Sequence, residues 1–205
     1  MAITKAEIFT TVLRRLGPAG GAVSNIDEEL RSTLYDISGR DDFLMTSAAF
    51  VTVDGVANYV AETVAPLHRN IHNLFMTDHS RLDLGSYQDY LDEISEQTTP
   101  TTGEPGNYCL ENNNFYLWPV PDAVYTVTVT YAKYHANSVT TIEFGESFRE
   151  AIYNGTLMKL WAGQLAALPQ ASAELQKCLS LYEAEIAKRR NDLVRQPILV
   201  RYRDI

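Results

Sequence analysis

The sequence is poor in cysteine and has no long apolar run. Its two cysteines, Cys109 and Cys178, have the spacing of neither a metal site nor a redox motif. We expect both to act as small buried apolar residues, with a disulfide as the alternative. No apolar run approaches the roughly 20 residues that cross a bilayer, and the amphipathic N-terminus lacks a signal-peptide core. These absences predict a soluble globular protein without a membrane span or a conventional export signal.

Motifs of catalysis and metal binding are also missing. The chain has no Walker loop, no Gly-x-Ser-x-Gly and no His-Glu-x-x-His. Acidic clusters at positions 27–29 and 89–96 are typical of helix starts and solvated helix faces. No cysteine or nearby acidic pair completes a ligand set with the four histidines, which are His68, His72, His79 and His135. We therefore predict no enzymatic activity, no catalytic or metal-binding residue and no cofactor.

Charge is unevenly distributed along the chain. The formal net charge of −9 argues against a protein that binds nucleic acid by neutralising phosphates with a broad basic surface. In the last eighteen positions only Asp192 and Asp204 oppose six basic residues, which are Lys188, Arg189, Arg190, Arg195, Arg201 and Arg203. This end of the chain either contacts an acidic partner or forms a solvated helix end whose cations complement the helix dipole.

Helices are predicted at both ends of the chain. A capping box of Thr4 with Glu7 opens the first helix, which ends at Gly17-Pro18. Ser24 or Asn25 caps a second helix that ends at Gly39. Beyond residue 142 the apolar period returns to 3.6, and Pro169 divides this region into two helices. In the last helix the predicted apolar stripe is Leu175, Leu179, Tyr182, Ile186 and Leu193.

The region between these helices is typical of β-structure. The Asp54-Gly55 pair predicts a hairpin between strands 50–53 and 56–60, and residues 67–76 predict a further strand. A short helix is predicted near 86–96. The fold class is therefore α+β, in which a helical bundle of residues 1–40 and 142–195 carries an inserted, antiparallel, sandwich-like or barrel-like β module at 43–139.

Residues 103–131 predict a meander of short strands. From Tyr125 to Tyr131, aromatic and valine residues alternate with threonines, which fits a half-buried antiparallel strand. Pro119 and Pro121 interrupt pairing because proline lacks a hydrogen-bond donor. The run 112–114 is all asparagine and predicts a turn between strands 107–110 and 115–118.

This region is also dense in aromatic residues. The set consists of Tyr108, Phe115, Tyr116, Trp118, Tyr125 and Tyr131. Core packing is one interpretation. The other is a ligand-binding β module, in which these rings form a stacking platform for bases or sugars.

Pro197 ends the last predicted helix, and residues 196–205 are a predicted extended tail. Ile198, Val200 and Tyr202 alternate with Leu199, Arg201 and Arg203, so the tail has the pattern of a strand that pairs with a partner.

The order of these elements resembles a known family, the head-to-tail connector (adaptor, neck) proteins of tailed bacteriophages. Two N-terminal helices precede a strand module with a Gly-x-Pro-x-x-Tyr start and a Leu-x-Pro-x-Pro-Asp hairpin, and two helices close the chain. The matching residues are Gly103, Pro105, Tyr108, Leu117, Pro119, Pro121, Asp122, Tyr125 and Tyr131.

The resemblance implies a structural virion protein rather than an enzyme. It implies a homo-oligomeric ring of twelve subunits beneath the portal protein, located in the neck of the virion and assembled in the host cytoplasm. The ring extends the DNA channel toward a downstream tail or nozzle protein, and DNA passes through without sequence-specific binding. A tail-completion or stopper protein lower in the neck is the alternative.

The resemblance also assigns roles to residues. The motif residues are implied to be structural. Portal binding is implied for the C-terminal tail, through Arg195, Ile198, Val200, Arg201, Tyr202 and Arg203.

Overall fold

The protein divides into two units. The structure is a computed structural model that describes residues 3–78, 80–95 and 99–195. The first unit, which we call the helical unit, is formed by Met1–Asp41 with His135–Ile205. The second unit is formed by Asp42–Tyr134. Residues 135–139, which the sequence places in the β module, thus belong to the unit that contains the terminal helices.

Helices and strands are both present, which confirms a mixed α and β fold. The helices are α1 (Lys5–Leu16), α2 (Ile26–Arg40), α3 (Ala61–Val64), α4 (Tyr87–Ser95), α5 (Arg149–Ala162) and α6 (Ala171–Arg195). The strands are β1 (Met45–Val51), β2 (Asn58–Val60), β3 (His68–Met76), β4 (Asp83–Leu84), β5 (Thr102–Gly103), β6 (Asn107–Glu111), β7 (Asn114–Trp118), β8 (Val120–Pro121) and β9 (Thr126–Lys133).

The N-terminal helices begin and end where local signals place them. Thr4 caps α1 by accepting a hydrogen bond from the Glu7 N–H at 3.3 Å, as predicted. Gly17 ends α1 with a positive φ of 56°. Of the two candidates for the cap of α2, Asn25 accepts from the Glu28 N–H, and α2 continues one residue past the predicted end at Gly39.

The C-terminal helices form the centre of the helical unit. In α5, residues 151–157 are all buried, so this helix is enclosed on every side. The predicted stripe of α6 is partly wrong, because Leu179 and Leu193 are each 37% exposed. Tyr182 and Ile186 of the predicted stripe are buried, and they are joined by Ala171 and Cys178, so the buried positions recur every seven or four residues.

Among the described residues, the strands of the second unit form three sheets. Their orders are β1-β9-β3, β2-β7-β6-β4 and β5-β8. The β4–β6 and β5–β8 pairs are parallel, and the other pairs are antiparallel. The predicted single meander over 103–131 is therefore wrong, since its strands are divided among all three sheets.

The turn at Asp54-Gly55 exists but does not connect a hairpin. Gly55 has a φ of 75°, and the Val56 N–H donates to the Val53 carbonyl at 3.0 Å. The strands on either side have other partners, because β1 pairs with β9 and β2 pairs with β7. Turn residues determine where the chain reverses, but not which strands then pair.

One apolar core lies within the second unit. Alternate residues of β9 are fully or nearly fully buried, with Val127 and Val129 at 0% and Tyr131 at 4% exposure, which confirms the predicted alternation. Residues of β3 and of the β6–β7 pair complete this core, among them Leu74, Met76, Tyr108, Phe115 and Leu117.

Candidate functional site

The residues of the sequence motif lie in different sheets and turns. Gly103, Tyr108, Leu117, Pro121 and Tyr131 lie in β5, β6, β7, β8 and β9, and Pro105, Pro119, Asp122 and Tyr125 lie in the connecting segments. Tyr108, Leu117 and Tyr131 belong to the core. These side chains are therefore packing residues rather than the members of one surface site.

Asp122 and Tyr125 do come together, in the turn that precedes β9. The Tyr125 hydroxyl donates to Asp122 Oδ1 at 2.6 Å. This hydrogen bond, with burial and the Asp122 charge as smaller causes, raises the pKa of Tyr125 to about 12. The main chain of the turn is fixed by Thr52, whose Oγ1 accepts from the Tyr125 N–H at 2.8 Å and donates to the Ala123 carbonyl at 3.0 Å.

Pro121 anchors a second turn through its carbonyl. Although proline has no N–H, the Pro121 carbonyl accepts from the Gly55 N–H at 2.8 Å. The neighbouring Val120 N–H donates to the Thr101 carbonyl at 2.9 Å, within the β5–β8 region. The Pro121 contact joins the 53–56 turn to β8, and the Val120 contact joins β8 to the β5 region. These main-chain contacts supply no acid, base or nucleophile.

The aromatic residues serve mainly as core. Tyr108, Phe115, Trp118 and Tyr131 are at most 7% exposed. Tyr116 instead packs against two rings of α4 that sequence reasoning did not group with it, Tyr87 at 5.0 Å and Tyr90 at 4.9 Å between centroids. The Tyr116 ring is tilted by 56° against Tyr87 and by 48° against Tyr90, so the three rings form no flat platform. The i, i+3 spacing of Tyr87 and Tyr90 was the available sequence signal.

An open groove of about 560 Å³ lies beside this cluster. Its lining includes His68, Tyr87, Cys109 and Glu111. The Cys109 side chain is 2% exposed, and burial, with smaller effects of Glu111 and Asp89, raises its pKa to about 11. The thiol is therefore protonated at neutral pH, which makes it a weak nucleophile.

The described histidines have ordinary structural partners. His68 Nδ1 lies 3.0 Å from the Ala65 carbonyl, and His72 Nε2 lies 2.8 Å from Asp42 Oδ2. The buried ring of His135 accepts from the Glu143 N–H at 3.2 Å. Within residues 3–78, 80–95 and 99–195 no group of three or more potential ligands is placed to hold a metal ion, and His79 lies outside those residues.

The predicted tail lies outside the described residues. Arg195 is the last residue of α6, and Ile198, Val200, Arg201, Tyr202 and Arg203 follow beyond it. Portal binding by these residues stays a prediction.

The basic residues that precede the tail have partners within the helical unit. Arg190 Nε donates to Asp41 Oδ2 at 2.8 Å, and Arg189 pairs with Asp192 at 3.1 Å and with Glu185 at 3.5 Å. These two arginines therefore support the solvated-helix interpretation for this part of the basic segment.

Comparison with known proteins identifies one family. The family model described as SU10 adaptor protein matches residues 3–201, which cover both units and most of the tail. No curated protein matches the chain. Among the described residues, no helix is long and apolar enough to cross a membrane.

Proposed function

The chain belongs to the SU10 adaptor protein family, and from this premise we propose that it is the head-to-tail adaptor of a phage neck. As a phage adaptor it is a virion component. In our proposal, twelve copies form a ring under the portal, and the ring extends the DNA channel toward a downstream tail or nozzle protein. The copies are made and assembled in the host cytoplasm. The role is structural rather than enzymatic.

The observation that carries this proposal is the extent of the family match. A match over residues 3–201 includes the terminal helices, the second unit and most of the tail, so it concerns the whole arrangement and not one shared motif. The local chemistry agrees with a structural role. The motif residues pack or form turns, and the Cys109 thiol is buried with a raised pKa.

The charge of the chain suits a conduit for DNA. A formal net charge of −9 repels a polyanion and offers few sites for phosphate neutralisation. DNA therefore passes through the proposed channel without sequence-specific binding.

In the proposed ring, the C-terminal tail binds the portal. Arg201 and Arg203 supply cations there. Cations on this segment favour an acidic groove as the docking surface.

Attachment of the full chain to purified portal rings tests this function. We expect the chain to co-sediment with portal rings and to add a twelve-fold ring in electron microscopy. Deletion of residues 196–205 should leave the circular dichroism spectrum unchanged and abolish attachment. Retained attachment of the truncated chain contradicts the tail assignment, and a ring found away from the portal supports the stopper position instead.

A charge-matched pair of variants separates the tail from a general charge effect. Arg201→Glu with Arg203→Glu should weaken attachment at least about tenfold, because each like-charge contact at an interface costs binding free energy. The control is Arg14→Glu with Arg31→Glu, which makes the same change of charge at two exposed helix positions. Equal weakening by both pairs contradicts a specific role of the tail.

A further inference from the structure

Strand β1 is an open edge of the β1-β9-β3 sheet. It pairs with β9 on one side over seven residues in a regular register without a shift. Its sequence, Met-Thr-Ser-Ala-Ala-Phe-Val, has no charged residue and no proline. A long, regular and uncharged edge is a ready template for another strand, and native proteins usually protect such edges.

The main chain of β1 has free hydrogen-bonding capacity along this edge. The Leu44 carbonyl accepts from Lys133 N–H and the Thr52 N–H donates to Tyr125. Because bonding alternates along an antiparallel pair, the even-numbered residues face β9. The N–H and C=O groups that point to the open side are those of Met45, Ser47, Ala49 and Val51, and no backbone hydrogen bond within the described residues engages them on that side.

The other edges of the two larger sheets carry protection that the described residues do not give β1. Strand β3, on the far side of the same sheet, has two register shifts, and residues 80–82 bond to it through Met76 N–H to Ser80 and Leu82 N–H to Leu74. In the four-stranded sheet, the edge strands β2 and β4 are only three and two residues long. Bulges, covering segments and short length are the usual protective devices.

We propose that β1 binds the C-terminal segment 198–203 of a neighbouring copy as an added β-strand. That segment alternates apolar residues with Leu199, Arg201 and Arg203, which is the pattern of a strand with one buried face. On β1 the side chains of Ala48 and Phe50 are partly buried against the core. Ile198, Val200 and Tyr202 extend this apolar face, and the arginines lie on the opposite face.

The available chain length fits this pairing. Helix α6 ends at Arg195, and ten residues follow in the sequence. Ten extended residues span roughly 33 Å, whereas the seven residues of β1 span roughly 23 Å. The tail is therefore long enough to cover the whole edge after leaving the helix.

The pairing joins two different surfaces, an edge strand and a tail. Such a heterologous contact propagates from copy to copy and closes into a ring when the rotation allows. The inference rests on the proposed function only in assuming that the copies form a ring. In this pairing Arg201 and Arg203 lie on the outer face of the added strand, where they remain available to the portal.

Hydrogen exchange on the isolated full-length chain tests the pairing without the portal. A synthetic peptide of residues 196–205 is added in excess, and exchange of the β1 amides is followed by mass spectrometry. We expect the outward amides of β1 to exchange at least about tenfold more slowly with the peptide. A peptide with the same composition but with its apolar residues placed consecutively should give no protection, because alternation is lost.

Two substitutions at one position provide the matched comparison. Ala49→Pro removes one outward N–H and leaves the bonds to β9 in place, so it should abolish protection of the remaining outward amides. Ala49→Val keeps the N–H and should retain protection. If Ala49→Pro lowers the melting temperature, Ser47→Lys with Ala49→Lys blocks the edge without restricting φ. Absence of protection in the wild-type chain, or equal protection in a blocked variant, overturns the proposal whatever the outcome of the portal experiment.

Discussion

Gly155 determines how closely the helices of the helical unit approach. A Cβ at this position would lie 2.6 Å from Thr33 Cγ2 in α2 and 3.0 Å from Tyr182 Cε2 in α6. Both neighbours are fully buried, so neither has free space to move into. The missing side chain of Gly155 therefore allows α5 to contact both helices at once, and an interior helix glycine, which is normally unfavourable, is retained here.

Gly155→Ala should destabilise the protein although alanine is the better helix former. Overpacking a buried contact costs about 1–3 kcal/mol, and the gain in helix propensity offsets only about 1 kcal/mol of this. We expect the free energy of unfolding in urea to fall by roughly 1–2 kcal/mol.

A second substitution checks that the contact with Thr33 is the cause. Thr33→Ser removes the methyl group that clashes and keeps the hydroxyl that donates to the Glu29 carbonyl at 2.8 Å. It should therefore recover part of the loss in the Gly155→Ala background. Gly21→Ala, where a Cβ meets nothing within 4 Å, is the control and should be nearly neutral. A stabilising Gly155→Ala contradicts the close approach of the helices.

At the scale of elements, the β6–β7 hairpin depends on two residues with left-handed backbone angles. Asn112 and Asn113 have φ values of 48° and 62°, and the flanking Glu111 and Asn114 form the last cross-strand pair. Positive φ at both central positions is the requirement of a type I′ turn, whose twist matches that of the strands. Asparagine tolerates this conformation better than other side chains do, and glycine adopts it without a steric cost.

Substitutions at Asn113 should therefore have opposite effects. Asn113→Gly creates the favoured Asn-Gly turn and should raise the free energy of unfolding by roughly 0.5 kcal/mol. Asn113→Ala should lower it by about 1 kcal/mol, because the alanine Cβ is strained at positive φ. The Asn113 carbonyl still accepts from the Ala61 N–H in both variants. Urea unfolding measures both effects, and Asn137→Ala, at an exposed position without positive φ, serves as control. The same sign for both Asn113 variants contradicts the assigned turn.

Local signals in the sequence predict these elements but not the pairing between them. The Asn112 turn, the Thr4 cap and the burial of alternate residues in β9 all follow from residues close together in the chain. Pairing of β9 with β1 and β3 joins residues more than fifty positions apart. A period of two determines which face of a strand is buried, but it does not determine which strand is the hydrogen-bonded neighbour. For this reason the hairpin at Asp54-Gly55 and the single meander are wrong although their turns and strands are present.

The candidate site was predictable to a similar degree. Alternation and turn chemistry correctly predict that β-strands and turns hold residues 103–131. The contact of Tyr116 with Tyr87 and Tyr90 was not predictable, because it depends on where α4 packs after the chain has folded. The open edge of β1 has the same origin, since an edge is a property of the assembled sheet and not of the strand sequence.

At the scale of the whole molecule, each unit has the features of an independent folding unit. The buried members of the apolar core of the second unit all lie between 61 and 131, and the partly buried residues packed against it, such as Ala48 and Phe50, belong to the same unit. The two ends of that unit are adjacent, since Met45 of β1 pairs with Ala132 of β9. The helical unit is interrupted between residues 41 and 135. The chain segments on either side of this interruption are also close, because the His135 N–H donates to Ser38 Oγ at 2.9 Å. An insertion whose ends meet in this way places little constraint on the unit that carries it.

Separating the two units should therefore yield two folded proteins. Residues 42–134 expressed alone should show a cooperative urea transition and dispersed amide resonances, because the core and the central strand β9 are retained. Residues 1–41 joined to 135–205 by a linker of about four glycine and serine residues should give a helical circular dichroism spectrum and unfold cooperatively, since a linker of this length spans roughly 13 Å.

A chain of residues 42–117 is the control for the second unit. It lacks β9, the middle strand of the β1-β9-β3 sheet, and should not fold. Folding of this control, or collapse of either separated unit without a cooperative transition, contradicts the assignment of a separate core to each unit.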